Sequence, residues 1–107
     1  MRVSDLKRFA LSLPETTEAP HFNYSSFRVR GKIFVTVPPD EDRIHVFVGE
    51  EHRQRALAVH SEIVEVLTWG KKVVGVRIIL SRASEAFVCG LVRDAWQAKA
   101  PKSLSPS

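Results

Sequence analysis

The chain has a single cysteine and no apolar run long enough to cross a membrane. One cysteine cannot close an internal disulfide, so nothing in the sequence indicates an oxidising compartment. The first residues lead into no long apolar stretch, so we expect neither a secretory signal peptide nor a membrane segment. By elimination, we expect a cytoplasmic protein.

Patterns for metal binding and catalysis are also missing. His52 and His60 are eight residues apart, whereas zinc ligands on one helix are three or four apart. Cys89 is surrounded by apolar residues on a predicted helix, which predicts a buried structural thiol rather than a nucleophile. The acidic residues at 40–42 lack the spacing of a calcium loop. We therefore expect no metal, no cofactor and no enzymatic activity.

The composition is that of one ordinary globular domain. The chain has 107 residues, of which 44% are hydrophobic and 26% charged. We expect a single domain over residues 1–100, followed by a short polar tail at 101–107. Lysine and arginine total 16 against 12 acids, a net charge of +4. This excess favours anionic partners.

Hydrophobic periodicity predicts an α+β fold. Helical spacing indicates helices over residues 4–13, with Ser4 as the N-cap, and 49–59, and a last helix that begins after Ser81 or Ser84 and runs to about residue 98. Alternation predicts strands over residues 24–30, 32–37, 43–48 and 73–80, and β-branched content favours a strand at 63–69. Residues 15–23 are predicted to be a loop, 38–42 a turn and 70–72 a hairpin tip. The order α-β-β-β-α-β-β-α predicts an antiparallel β-sheet with helices packed on one face.

The same patterns predict the core. The last strand alternates, so its inward residues should meet apolar residues of the first and last helices. Trp96 should be largely buried and should anchor the last helix. The inward residues of the last strand are Val74, Val76, Ile78 and Leu80, and their expected contacts are Phe9, Leu13, Leu91 and Ala95.

Three segments resemble the MmcQ/YjbR-like family. Residues 10–18 (ALSLPETTE) resemble its opening, in which a helix ends in Leu-Pro before an acid. Residues 27–34 (FRVRGKIF) resemble its Gly-Lys-x-Phe hairpin, and residues 95–102, with AW followed by APK, resemble its C-terminal helix and exit. The resemblance implies a frataxin-like α+β fold and DNA binding through paired β-hairpin wings.

Basic residues near the two predicted hairpin tips fit such wings. Lysine and arginine at exposed tips can neutralise the phosphates of duplex DNA, which gives weak binding without sequence preference. The same charges can also serve only to solubilise exposed turns and protect sheet edges. The candidate nucleic-acid-binding residues are Arg28, Arg30, Lys32, Lys71, Lys72 and Arg77.

A non-enzymatic protein- or small-ligand-binding domain is the alternative. Such a domain would use an apolar lining between the sheet and the helices. The candidate contacts are Phe22, Tyr24 and Trp69. Steep salt dependence would distinguish DNA binding from binding in an apolar pocket.

Overall fold

The computed structural model describes residues 1–40 and 42–104. Glu41 within the predicted turn and residues 105–107 of the predicted tail lie outside the described residues. The elements, in chain order, are α1 (Val3–Ser12), β1 (Thr16–His21), β2 (Tyr24–Val29), β3 (Lys32–Val37), β4 (Arg43–Val46), α2 (Glu50–Val59), β5 (Val64–Trp69), β6 (Lys72–Ile79), a short 3-10 helix (Leu80–Arg82) and α3 (Glu85–Lys99).

The predicted fold class is confirmed, with one strand more than expected. The strands form one sheet in the order β1-β2-β3-β4-β6-β5, and every neighbouring pair is antiparallel. The loop expected over residues 15–23 is wrong, because Thr16–His21 pairs with β2 as an edge strand. Pro20 in the sequence favours a loop, but an edge strand tolerates proline, because one side of its backbone is unpaired and the missing N–H is not needed there.

Helix boundaries follow local signals. Ser84 caps α3 by accepting a hydrogen bond of 3.2 Å from the backbone N–H of Phe87. The predicted cap of α1 is wrong, because the helix begins one residue before Ser4, with Arg2 at the cap position. The backbone N–H of Arg2 donates to the Asp5 carboxylate at 3.3 Å. At the other end Pro14 follows closely, which stops the helix.

One row of cross-strand partners forms the centre of the sheet on the helix side. Phe27 pairs with Val35, Val35 with Val46, and Val46 with Val76. All four side chains are buried. Cross-strand partners point to the same face, so this row provides the apolar surface on which the helices pack. Trp96 of α3 is fully buried in the same core, as predicted.

The predicted core of the last strand is right for three of its four residues. Val76 and Ile78 are buried in β6, and Leu80 is buried as the first residue of the 3-10 helix, one residue beyond the strand; Val74 is only half-buried and lies outside the core cluster. The register with β5 shifts here, since Gly75 pairs with Leu67 and Val73 pairs with Thr68. Val74 therefore has no partner, and the alternation breaks at this bulge.

Two further boundaries differ from the sequence prediction. β4 ends at Val46, so the strand expected to reach residue 48 is two residues shorter, although Phe47 and Val48 are buried. Leu104 packs against the core from within the predicted tail. Across residues 1–40 and 42–104, no helix is long and apolar enough to cross a membrane.

Candidate functional site

The sheet face away from the helices, here called the concave face, carries a row of polar cross-strand partners. Ser26 pairs with Thr36, Thr36 with His45, His45 with Arg77, and Arg77 with Glu65. Ser26, Thr36 and His45 are buried although they are polar. Buried polar groups need hydrogen-bond partners. Thr36, His45, Arg77 and Glu65 are linked to one another from strand to strand. Ser26 Oγ instead donates to the Ala19 carbonyl at 2.7 Å and accepts from Arg28 Nε at 3.0 Å.

The protonation of His45 follows from its neighbours. Arg77 Nε lies 3.3 Å from His45 Nε2, and Thr36 Oγ1 lies 3.2 Å from Nδ1. Because a guanidinium can only donate, Nε2 must accept, and the ring proton sits on Nδ1 and is donated to Thr36. Burial, with the Arg77 charge as a second cause, lowers the pKa of His45 to about 4. His45 is therefore a neutral structural link at physiological pH.

The twist of the sheet explains why two of its corners meet over the concave face. β1 ends at His21 on one edge, and β5 ends at Trp69 on the other edge, at the opposite end of the sheet. Neighbouring strands twist by about 20–25°, so the edge strands differ by roughly 100–125° across the sheet. Such a twist lifts diagonally opposite corners to the same side. The rings of His21 and Trp69 are accordingly stacked, with centroids 5.9 Å apart and planes 17° apart.

These two corners form an aromatic notch, lined by His21, Phe22, Asn23, Tyr24 and Trp69, with a volume of about 450 Å³. The Phe47 ring packs edge-on against the Trp69 ring, with centroids 4.9 Å apart. The Tyr24 ring packs edge-on against the His45 ring, with centroids 5.7 Å apart. The Phe22 side chain is 90% exposed and Trp69 is 44% exposed. The notch therefore presents free ring surface to solvent.

Comparisons with known proteins identify the family and a solved structure of the same fold. The YjbR family model matches residues 11–98. The chain belongs to the YjbR family. The crystal structure of Deinococcus radiodurans protein DR2400, a DUF419 domain, has the same fold at a TM-score of 0.81 and 18% identity, covering 97% of this chain and 82% of that one. No curated protein matches the sequence.

Two of the candidate arginines of this YjbR domain are engaged on the concave face. Arg28 Nε donates to Ser26 Oγ at 3.0 Å, and its Nη2 donates to the Pro20 carbonyl at 3.4 Å. Arg77 Nη1 lies 2.8 Å from Glu65 Oε1, in addition to its contact with His45. Both side chains are half-buried. They organise the sheet rather than extend from a wing.

Arg30 is also paired, at the turn between β2 and β3. Its guanidinium meets Glu15 with two hydrogen bonds, of 3.1 and 2.9 Å. The hydrogen bonds and charge of Arg30 lower the pKa of Glu15, and those of Glu15 raise the pKa of Arg30. Such a bidentate pair fixes the turn, so part of the charge predicted at this tip is neutralised locally.

The three candidate lysines of the YjbR domain are exposed. Lys32, Lys71 and Lys72 have no ion-pair partner among residues 1–40 and 42–104. β3 and β6 both run antiparallel to β4. The turns that precede them, at residues 30–31 and 70–71, therefore lie at the same end of the sheet, and the three lysines lie next to these turns.

The structure brings Phe22, Tyr24 and Trp69 together, but not where the sequence placed them. All three line the notch on the concave face, so the expected position between sheet and helices is wrong. The sequence reasoning missed His21, Asn23 and Phe47 as their neighbours. Phe22-Asn23 is not one of the glycine-containing pairs that signal a two-residue hairpin, so no local signal marked this corner.

A second cavity lies between α2 and α3 on the other side of the YjbR domain. It has a volume of about 320 Å³ and includes His52 and His60 in its lining. His52 Nδ1 lies 3.4 Å from the Asp94 carboxylate, and His60 stacks on Phe87 at 3.9 Å. Each histidine thus has its own neighbour. In the part of the chain that the structure describes, no three His, Cys, Asp or Glu side chains are grouped to hold a metal.

Proposed function

We propose that this YjbR domain is a non-enzymatic module that binds duplex DNA weakly and without sequence preference through Lys32, Lys71 and Lys72. The observation that carries the proposal is the position of these exposed lysines beside two turns at one end of the sheet. Lysine neutralises phosphates and releases counterions whatever the base sequence. Such a partner agrees with the cytoplasmic location that the sequence analysis expects by elimination.

We assign the phosphate contacts to lysines rather than arginines, because the candidate arginines already have partners. Arg28, Arg30 and Arg77 already make hydrogen bonds inside the fold. Moving them onto DNA would break those bonds and leave partners such as Glu15 unpaired. Lys71 and Lys72 lose only hydration when they meet a phosphate. They also follow Gly70, whose φ of +63° permits the tight turn that exposes them.

The salt dependence of binding should reflect this small number of contacts. If three phosphates are met, the slope of log affinity against log salt should be about −2.7, and the affinity should be on the order of 10⁻⁴–10⁻⁶ M. The three exposed lysines do not extend from a helix that could enter a groove. Phosphate contacts alone carry no sequence information, so we expect different duplexes to bind alike.

Fluorescence anisotropy of a labelled blunt duplex at several salt concentrations tests the proposal. Replacing Lys71 and Lys72 by alanine should weaken binding to every duplex and flatten the slope by about 1.8. The matched control replaces Arg43 and Arg82 by alanine, two exposed cations at the opposite end of the sheet, where β4 begins and β6 ends, and it also lowers the net charge from +4 to +2. No binding at low salt, or equal weakening by both double variants, would refute the proposal.

A further inference from the structure

Phe22 is an aromatic residue that neither the core nor the backbone requires. Its side chain is 90% exposed, so it contributes little to folding. Its φ is +57° in the two-residue turn of the β1–β2 hairpin. That region favours glycine or asparagine, and a bulky residue there is strained. Within the chain its ring only meets His21 edge-on at 4.8 Å, and a strained, exposed aromatic residue is a candidate for contact with a ligand.

Cations lie directly beside the exposed rings. Lys72 is the cross-strand partner of Trp69, so the two side chains point to the same face. Lys71 sits in the turn between them, and Arg28 reaches the Pro20 carbonyl near the other corner. Glu65, an acid on the same face, is neutralised by Arg77. Asp40 is a second acid near this face, since its charge acts on His45, so the cationic part of the notch is the side formed by Lys71 and Lys72 beside Trp69.

Rings flanked by cations fit one class of occupant well. Single-stranded nucleic acid is bound by aromatic side chains that stack on its bases and by cations that follow its backbone. An apolar peptide would use the rings and leave the lysines without a role. The notch volume of about 450 Å³ is within the range of small-ligand sites. Asn23 adds an amide that can both donate to and accept from a base edge.

We propose that the aromatic notch stacks one unpaired nucleobase of a strand whose adjacent phosphates lie on Lys71 and Lys72. The inference rests on the proposed binding of DNA and specifies its preferred form. A blunt duplex offers phosphates to the lysines but keeps its bases paired. A duplex with a single-stranded overhang offers both. The protein therefore prefers junctions between paired and unpaired DNA, with little dependence on base identity, because every base has a π-face.

Four labelled DNAs separate stacking from charge. They are a blunt duplex, the same duplex with a three-nucleotide overhang, the same overhang with abasic sites, and the overhang strand alone. The intact overhang should bind on the order of tenfold tighter than the blunt duplex. The abasic overhang retains its phosphates and should lose most of this advantage. In a Trp96→Phe background, the intact overhang should quench Trp69 fluorescence and the abasic overhang should not.

The decisive variant is Phe22→Gly, because glycine adopts the positive φ without strain and the fold should be kept. It should remove the advantage of the overhang and leave blunt-duplex binding unchanged. Val59→Ala, at a 68% exposed position on α2, is the matched control and should change neither.

The outcomes separate this inference from the proposed function. Equal binding of the intact and abasic overhangs would overturn the notch as a base site, while blunt-duplex binding would still support the lysine contacts. Equal quenching of Trp69 by a free mononucleotide and by the overhang would assign the notch to a small ligand and overturn the inference. Loss of blunt-duplex binding in every salt condition would refute the proposed function itself.

Discussion

The indole N–H of Trp96 donates a hydrogen bond of 3.1 Å to the carbonyl oxygen of Pro14, 82 residues away in the chain. Pro14 follows α1, and Trp96 is fully buried on α3. The bond therefore ties the exit of the first helix to the last helix. It also satisfies the one polar group that a buried tryptophan brings into the core.

We expect Trp96→Phe to destabilise the protein by about 1–3 kcal/mol, because the Pro14 carbonyl loses its nearer donor and keeps only the Thr16 hydroxyl at 3.5 Å, and because the smaller ring leaves space. Urea unfolding followed by circular dichroism measures the change. Trp69→Phe, at a 44% exposed position, is the control and should change stability by no more than about 0.5 kcal/mol. Equal losses in the two variants would contradict the anchoring role of Trp96.

Gly75 allows β6 to approach the end of β4. A Cβ at this position would overlap the Val46 carbonyl oxygen and lie 2.9 Å from Phe47 Cα. Because backbone cannot move aside as a side chain can, Gly75→Ala should cost about 1–3 kcal/mol. Gly90→Ala on α3 has no atom within 4 Å and should instead stabilise the protein by about 0.5–1 kcal/mol. Thermal unfolding of both variants tests whether the midpoint temperature falls for Gly75→Ala and rises for Gly90→Ala.

His45 predicts a loss of stability in mild acid. Burial lowers its pKa from 6.5 to about 4 in the folded protein. As pH falls from 6.5 to 4, the unfolded chain gains a proton that the folded protein does not accept, so folding becomes less favourable. We expect protonation linked to His45 to lower the free energy of unfolding by about 1–2 kcal/mol. This is less than the full effect of the pKa shift, because solvent screens part of it. Above pH 6.5 it should contribute none.

Urea unfolding at several pH values between 4 and 8 measures this dependence. His45→Gln cannot titrate, so the difference in stability between wild type and variant should shrink as pH falls through the window. A difference that stays constant over the whole range would show that His45 is protonated as easily in the folded state as in the unfolded chain.

Cys89 should react slowly with thiol reagents at neutral pH. Burial, then the Glu85 charge, raises the pKa of its thiol, while Arg93 one turn later opposes them. The side chain is half-buried rather than buried as the sequence predicted. Because the thiolate is the reactive form, labelling should be slower than that of the same chain in urea. Equal rates in native buffer and in urea would contradict the prediction.

The sequence predicted those elements whose signals are local. Ser81 and Ser84 were the two predicted caps of α3, of which the structure shows Ser84, and the β-branched residues that predicted β5 are confirmed. β1 was missed because its sequence, TTEAPH, lacks apolar alternation and contains Pro20. Its strand character comes from pairing with β2, which no single segment encodes.

The site was predictable only in part, for a related reason. Alternation along residues 43–48 is enough to put His45 and Phe47 on one face, but the partners that make His45 neutral come from β3 and β6. Only the register of the sheet brings Thr36 and Arg77 to that ring. Similarly, Phe22 and Trp69 were sensible contact candidates, but their meeting depends on a twist accumulated over all six strands.

The contact between His21 and Trp69 joins two hairpins at opposite edges of the sheet. The notch exists only when every strand between these two hairpins is in place. A molecule bound there would therefore be lost on unfolding of any strand, and its binding energy would resist that unfolding. Hydrogen exchange of amides in the central strands, far from the notch, should slow when the notch is occupied. Binding at the notch would then be a measure of whether the whole sheet is folded.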